Sequence, residues 1–191
     1  PRAFHHEVTW ILDDLLLHDD GSLVPFGLEA PTHALMGRFG NVILVNGIER
    51  PVLEVEAGSV VRFLLTNAAS ARPFHLVVGA PDGTGEAPRM KLQGTDLSPF
   101  QREAWVEGVI LAPAERYQLS VRFDRPGRHP VENRVRGTDP FLGAIFAEVD
   151  TVAWIEVRET RAPPLDVDAP PFEVLHTNPE VERQVEALRG E

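Results

Sequence analysis

The chain has no cysteine. That excludes disulfides, zinc–thiolate sites and cysteine nucleophiles, and it leaves the redox compartment open. Lysine is nearly absent too. Lys91 is the only one, so the positive charge is carried by arginine, which reads as a compositional habit of the source. Positive charge is itself scarce, with 18 Lys and Arg against 29 Asp and Glu and a formal net charge of −11. A surface of that sign argues against nucleic acid or an anionic membrane as partner, since both reward basic surfaces. No apolar run approaches the ~18 residues of a membrane-spanning helix. No Gly-x-Ser-x-Gly elbow occurs, and Asp82-Gly83-Thr84-Gly85 is too short and wrongly placed for a phosphate loop. No signal peptide is recognisable, and the chain opens at Pro1 in what reads as a linker, so the expectation is a piece of a longer polypeptide.

What is present is a series of short strand signals. Hydrophobic residues make up 43% of the 191 residues, enough for one core, and 17 Pro and 15 Gly punctuate them. The first strand region is Glu7 to Leu17, closed by Asp19-Asp20-Gly21. Residues 22–40 read as a long irregular connection. Val42 to Val45 is followed by Asn46-Gly47, a two-residue hairpin signal. Val52 to Glu56 ends at Ala57-Gly58. Val60 to Thr66 places Val61, Phe63 and Leu65 on one face. Phe74 to Val78, Arg89 to Gln93 and Gly108 to Leu111 are further short strands. The clearest alternation is Tyr117, Leu119, Val121 and Phe123 against Gln118, Ser120 and Arg122. Leu142 to Val149 and Thr151 to Val157 complete the set, and this spacing predicts an all-β sandwich or barrel.

Beyond Glu159 the pattern changes. Pro163, Pro164, Pro170 and Pro171 mark an extended acidic linker. At its end Asn178 is placed to cap a helix, Pro179 suits the first helical position, and Val181, Val185 and Leu188 share one face. So short a helix is expected to dock on something. The chain thus divides into an N-terminal linker over 1–6, a domain over 7–158, and a Pro-rich linker with a short helix over 159–191.

A search for chemistry finds little. There is no His-x-His and no His-x3-His, and the adjacent His5 and His6 point to opposite faces of a strand. A blue-copper centre needs a thiolate that the chain lacks. His18, His33, His75, His129 and His176 lie in separate segments and are expected to be solvated or hydrogen-bonded. The remaining alternative is a ligand or metal held by His33, His75 or His129. Asp13-Asp14 and Asp19-Asp20 read as turns or solvated faces rather than a cation site. Glu54, Glu56, Glu103 and Glu107 read as alternating surface positions. Tyr117, just after Pro113-Ala114-Glu115-Arg116, is expected to send its hydroxyl back to upstream main chain and lock a Greek-key corner. No catalytic, cofactor-binding or metal residue is assigned.

Several segments, in order, resemble the central domain of three-domain multicopper oxidases, the laccase-like family. Val8-Thr9-Trp10-Ile11-Leu12-Asp13-Asp14 with His18-Asp19-Asp20-Gly21 is similar to its opening strand. Gly37-Arg38-Phe39-Gly40-Asn41 leads into Leu44-Val45-Asn46-Gly47. Pro51-Val52-Leu53-Glu54-Val55 precedes Val61-Arg62-Phe63-Leu64-Leu65-Thr66-Asn67-Ala68-Ala69, and Arg72 follows. Pro113-Ala114-Glu115-Arg116-Tyr117 resembles the family's Pro-Gly-Glu-Arg-Tyr corner, with Ala114 in place of Gly, and Arg125-Pro126-Gly127 closes the next hairpin. The chain departs from the family at Gln93-Gly94-Thr95-Asp96 and in the Gly/Pro-rich residues 80–90.

The resemblance implies a Greek-key β-sandwich of cupredoxin type that spaces two flanking cupredoxin domains of the same polypeptide. Those flanking domains hold the copper, on His-x-His and His-Cys-His segments. It implies no cofactor in this chain, copper in the full-length parent, and a secreted or periplasmic location. The parent would couple one-electron substrate oxidation to reduction of dioxygen, while this piece alone would be inactive. A copper-free scaffold or interaction module of the cell envelope would carry the same pattern.

Overall fold

The computed structural model describes residues 4–25, 37–96, 98–138, 145–147, 149–163, 165 and 178–189. Two mixed sheets face each other. The first runs in the order β2 (Val42–Val45), β1 (His6–Leu15), β4 (Ser59–Asn67), β9 (Arg116–Phe123), β6 (Met90–Thr95) and β7 (Pro99–Val106). The second runs β3 (Val52–Ala57), β13 (Asp150–Arg161), β10 (Gly127–Asn133), β5 (Phe74–Val78) and β8 (Val109–Leu111). A separate ribbon pairs β11 (Arg136–Thr138) with β12 (Ile145–Ala147). The sandwich predicted from strand spacing is therefore the fold.

Alternation places the core. Val61, Phe63 and Leu65 of β4 and Leu119, Val121 and Phe123 of β9 all turn inward and are buried. Phe74, Val131, Ala153 and Ile155 meet them from the second sheet. Trp10 packs on Phe63 with ring centroids 4.9 Å apart. Each such fully buried large side chain contributes roughly 1.5–3 kcal/mol of transfer free energy.

The Asn46-Gly47 signal is a genuine tight turn. Both residues have positive φ, 53° and 77°, and Val45 and Ile48 exchange two main-chain hydrogen bonds. That is the geometry a two-residue hairpin with right-handed strand twist requires. Asn46 does more than turn the chain. Its side chain accepts from Ile11 N at 2.8 Å and donates to Thr9 O at 2.9 Å, pairing β1 where β2 has ended.

Three strands carry no clear signal in the sequence, the short β11 and two longer ones. β7 begins at Pro99 and runs through Gln101, Arg102 and Glu103. β10 contains Pro130. Proline argues against an interior strand. Yet β10 sits between β13 and β5, with a register shift beside Pro130 at Val131/Glu132. Two pairings are parallel, β1 with β4 and β13 with β3. The reading of Leu142 to Val149 as a strand corresponds only to β12. Residues 142–144 and 148 lie outside the described residues, as do 166–177 of the linker. β13 continues to Arg161, opposite Ala57.

The C-terminal helix, α1 (Pro179–Arg189), forms as its sequence indicates. Asn178 caps it, with its main-chain carbonyl accepting from Glu182 N and its side chain from Val181 N. Val181, Val185 and Leu188 remain exposed. Glu182 accepts a hydrogen bond from Gln101 of β7.

Candidate functional site

The described histidines do not converge. His5 accepts the Val60 N–H at Nδ1 (3.0 Å), so its Nε2 carries the proton and donates to Pro163 O at 2.7 Å. His129 is buried, its two ring nitrogens 3.0 and 3.1 Å from the carbonyls of Gly79 and Arg125, with Phe123 edge-on at 5.5 Å. His75 faces Arg134 O at 3.3 Å. His75 and His129 therefore sit five residues apart along the β5–β10 ladder, about 16 Å at strand rise. His6 lies 3.4 Å from Glu56, whose carboxyl is held below its usual range first by its own main-chain N–H and then by His6. His33 and His176 lie outside the described residues. Among the described residues no group of three or more His, Asp or Glu is placed to hold a metal ion.

The acidic pairs resolve into structure. Asp20 accepts from Ser22 Oγ and Ser22 N, which lower its pKa and close a turn. Asp14 is the centre of a buried clasp. Its carboxylate accepts from Arg72 Nε at 2.8 Å and from Gly40 N at 2.5 Å, and Arg72 Nη2 donates to Gly40 O at 2.7 Å. Asp14 and Arg72 side chains are 2% and 6% exposed. The Arg72 guanidinium also lies 4.8 Å from the Phe39 ring centroid. Glycine at 40 is dictated by space, because a Cβ there would come within 2.4–2.6 Å of Leu15 main chain. The segment most distinctive of the resemblance, 37–41, is thus the strap that this ion pair ties to the end of β1.

The corner after β4 is locked by Asn67, not by Tyr117. Asn67 is fully buried and donates to Arg72 O (2.9 Å) and Leu111 O (3.0 Å) while accepting from Ala69 N (2.9 Å). Its main chain bonds Glu115 and Ala114 of the 112–116 turn, where Ala114 takes φ 69°. Among the described residues the Tyr117 hydroxyl has no hydrogen-bond partner, so the tyrosine-corner expectation does not hold. The ring is half-buried against the core. Burial raises its pKa, and the nearby charges of Glu115 and Asp96 raise it further. A folded pKa above the unfolded one contributes stability that is complete below pH ~10 and is lost as pH rises through the folded pKa. Because Tyr117 is the only tyrosine, an alkaline titration followed by phenolate absorbance reports it alone. The midpoint is expected above the ordinary tyrosine value and to fall on adding denaturant. An unshifted midpoint would count against the packing described.

Glu103 is a second correction. It is 1% exposed, not a surface position. On the outer face of β6 and β7 it accepts from Gln93 Nε2 at 2.8 Å and lies 3.5 Å from Lys91 Nζ, and Ser120 donates to Gln93 Oε1. The chain's one lysine is therefore a buried partner of a buried acid. It also stands 4.9 Å from the Trp105 ring centroid, and Arg89 stands 4.3 Å from the same ring. No local pattern announces this, since alternation alone assigns Glu103 to solvent.

Of the Gly/Pro-rich departure over 80–90, Met90 opens β6, and residues 80–89 form a ridge between two clefts. The larger, about 810 Å³, is lined by Val77, Pro88, Trp105, Pro130 and Arg134 among others. The smaller, about 350 Å³, lies between Arg89, Trp105, Arg122, Arg125 and the buried His129.

No family model matches the chain. Among curated proteins it is 36% identical over 89 residues to the cell division protein FtsP of Photorhabdus laumondii subsp. laumondii, covering 47% of this chain and 17% of that one. It is 34% identical over 118 residues to FtsP of Haemophilus influenzae, covering 62% and 22%. It is 28% identical over 136 residues to the multicopper oxidase LPR1 homolog 5 of Oryza sativa subsp. japonica, covering 71% and 20%. The chain thus spans about a fifth of the length of these relatives. Among solved structures it superposes on McoA multicopper oxidase of Aquifex aeolicus with a TM-score of 0.70 at 22% identity, covering 90% of this chain and 36% of that one. For the Campylobacter jejuni multicopper oxidase the TM-score is 0.69 at 21% identity, covering 91% and 33%. The two sheets are those of a cupredoxin-like domain. Its likeness is to a single domain of the multicopper oxidases, whose fold it shares across nine-tenths of its length.

Proposed function

We propose that the chain is the central spacer domain of a three-domain, multicopper-oxidase-like protein, holding apart two flanking cupredoxin domains of the same polypeptide. The observation that carries this reading is where the histidines spend their nitrogens. His5, His75 and His129 are each directed at main-chain atoms, inside a fold of the oxidase type. The donors present do not fit a copper centre, because thiolate is absent from the sequence and no described imidazoles share a site. Copper would belong to the neighbouring domains, and the one-electron chemistry with it. Location in the cell envelope is part of the proposal. Among the described residues no helix is long and apolar enough to cross a membrane.

A second reading has its own support. Three of the four curated matches carry the name FtsP, at 33–36% identity, against 28% for the oxidase. In that reading the whole protein is a copper-free scaffold acting in cell division. One experiment addresses both. The 191-residue chain and its full-length parent are produced with copper, and metal content and oxygen consumption are measured. The chain is expected to hold only substoichiometric copper and to consume no oxygen. Tight stoichiometric copper in the isolated chain would overturn the spacer reading. Copper in the parent favours the oxidase. A metal-free parent lacking His-x-His and His-Cys-His segments favours the scaffold.

A further inference from the structure

The smaller cleft beside residues 85–89 has a polarity opposite to that of the molecule. In a chain of net charge −11, three arginines face it, and Arg122 is neutralised by Asp124 at 2.8 Å. Arg89 and Arg125 form no ion pair among the described residues, and both side chains are exposed to solvent. Glu86 stands on the same rim. The two free guanidinium groups are held by different means. Arg89 lies 4.3 Å over the Trp105 ring, which restrains it. Arg125 brings its Nη1 end up to Gly85, whose missing side chain makes the room, since a Cβ there would fall 2.3 Å from Arg125 Nη1. Gly85 also has φ +81°, a conformation that favours glycine. Beneath them the buried His129 ring lies between Gly79 O and Arg125 O, 3.0 and 3.1 Å from its two nitrogens, and a neutral ring donates to one of the two.

We propose that this cleft binds a small oxyanion, carboxylate or phosphate, between Arg89 and Arg125. The physical case rests on preorganisation. A guanidinium presents its donors in a planar fork that matches a carboxylate or phosphate edge, and a fork already fixed by stacking loses less entropy on binding. At about 350 Å³ the cleft lies at the small end of the range for ligand sites, which limits the occupant to a metabolite-sized anion. The receptor groups are the two side chains. This site is independent of whether the parent carries copper, and its failure would leave the spacer reading untouched.

The test is a titration of the 191-residue chain with citrate in one arm and inorganic phosphate in the other, at ionic strength matched with chloride. Two-dimensional NMR follows the Trp105 indole N–H and the arginine Nε–H resonances. Saturable shifts are expected at Trp105, Arg89 and Arg125, with a dissociation constant of about 1 mM or tighter. Saturation by citrate alone or phosphate alone supports the site and names its class. R125Q and R89Q are each expected to weaken binding about tenfold, the scale of one charge-assisted bidentate contact. R102Q, an exposed arginine on β7 that does not line the cleft, is expected to bind as the wild type does. If R89Q disturbs the Trp105 stack and lowers the melting temperature, R125Q decides. Linear, unsaturated shifts in both arms, or equal weakening by R102Q, would overturn the proposal.

Discussion

Replacing Arg72 with methionine is expected to destabilise the chain by about 3–5 kcal/mol, the cost of leaving a buried charge without its partner. The Asp14 side chain is 2% exposed, and after the substitution its carboxylate keeps the hydrogen bond from Gly40 N but loses its counter-charge. Gly40 O loses the donor it finds in Arg72 Nη2. Methionine fills much of the volume, so the loss reports charge and hydrogen bonding more than a cavity. Arg72→Lys is expected to recover only part of the loss, because an ammonium cannot reproduce the two directed bonds to Asp14 and Gly40. The double variant Asp14→Leu with Arg72→Met removes both charges together. It is expected to be more stable than Arg72→Met alone, by about 2 kcal/mol or more, because burial of an unpaired ion is then avoided. Urea denaturation of the four proteins, compared at constant m-value, measures this. A loss below about 1 kcal/mol for Arg72→Met would mean that the clasp is solvated and that residues 37–41 are held by something else.

The clasp also marks where the sequence was readable and where it was not. Asp13-Asp14, residues 37–41 and Arg72 each stand out in the chain. Nothing in their spacing says that Asp14 and Arg72, 58 residues apart, meet under Gly40. Local alternation made β4 and β9 legible, because Val61, Phe63, Leu65, Leu119, Val121 and Phe123 are buried on one face with polar neighbours opposite. The Asn46-Gly47 turn was legible because only a few residues tolerate positive φ at both turn positions. β7 and β10 were hidden by Pro99 and Pro130 and by the polar run Gln101-Arg102-Glu103. The parallel pairing of β1 with β4 and of β3 with β13 is non-local and leaves no signature in either strand. The same limit explains Glu103. A half-buried strand predicts that polar residues face water, and it cannot register that Gln93 and Lys91 on the adjacent strand have come to meet one of them. Candidate chemistry was legible mainly as exclusion. The cleft of Arg89 and Arg125 was not, since it is assembled from two loops separated in the sequence.

The misassigned corner yields the other large expected effect. Asn67→Ala is expected to cost about 3–4 kcal/mol, because it removes three buried hydrogen bonds and strands two carbonyls and one N–H in a site without solvent. Tyr117→Phe, by contrast, is expected to change stability by less than about 0.5 kcal/mol, since the hydroxyl has no partner among the described residues. The comparison separates the two corner hypotheses in one measurement. Asn67→Asp sharpens it. Aspartate has the same shape but, when ionised, has no donor, so it sets a negative charge against the carbonyls of Arg72 and Leu111. At neutral pH it is expected to be at least as destabilising as alanine. Burial and the two facing carbonyls disfavour the charged form, so the folded-state pKa of the introduced carboxyl lies above its unfolded value. The penalty is then relieved as pH falls toward and below the unfolded value near 4, where the protonated acid regains one donor. Relative to Asn67→Ala, Asn67→Asp should therefore gain stability between about pH 7 and 4. If the two variants stay parallel across that range, the side chain at 67 does not donate to buried carbonyls, and the corner must be held by main-chain contacts with residues 112–116 alone.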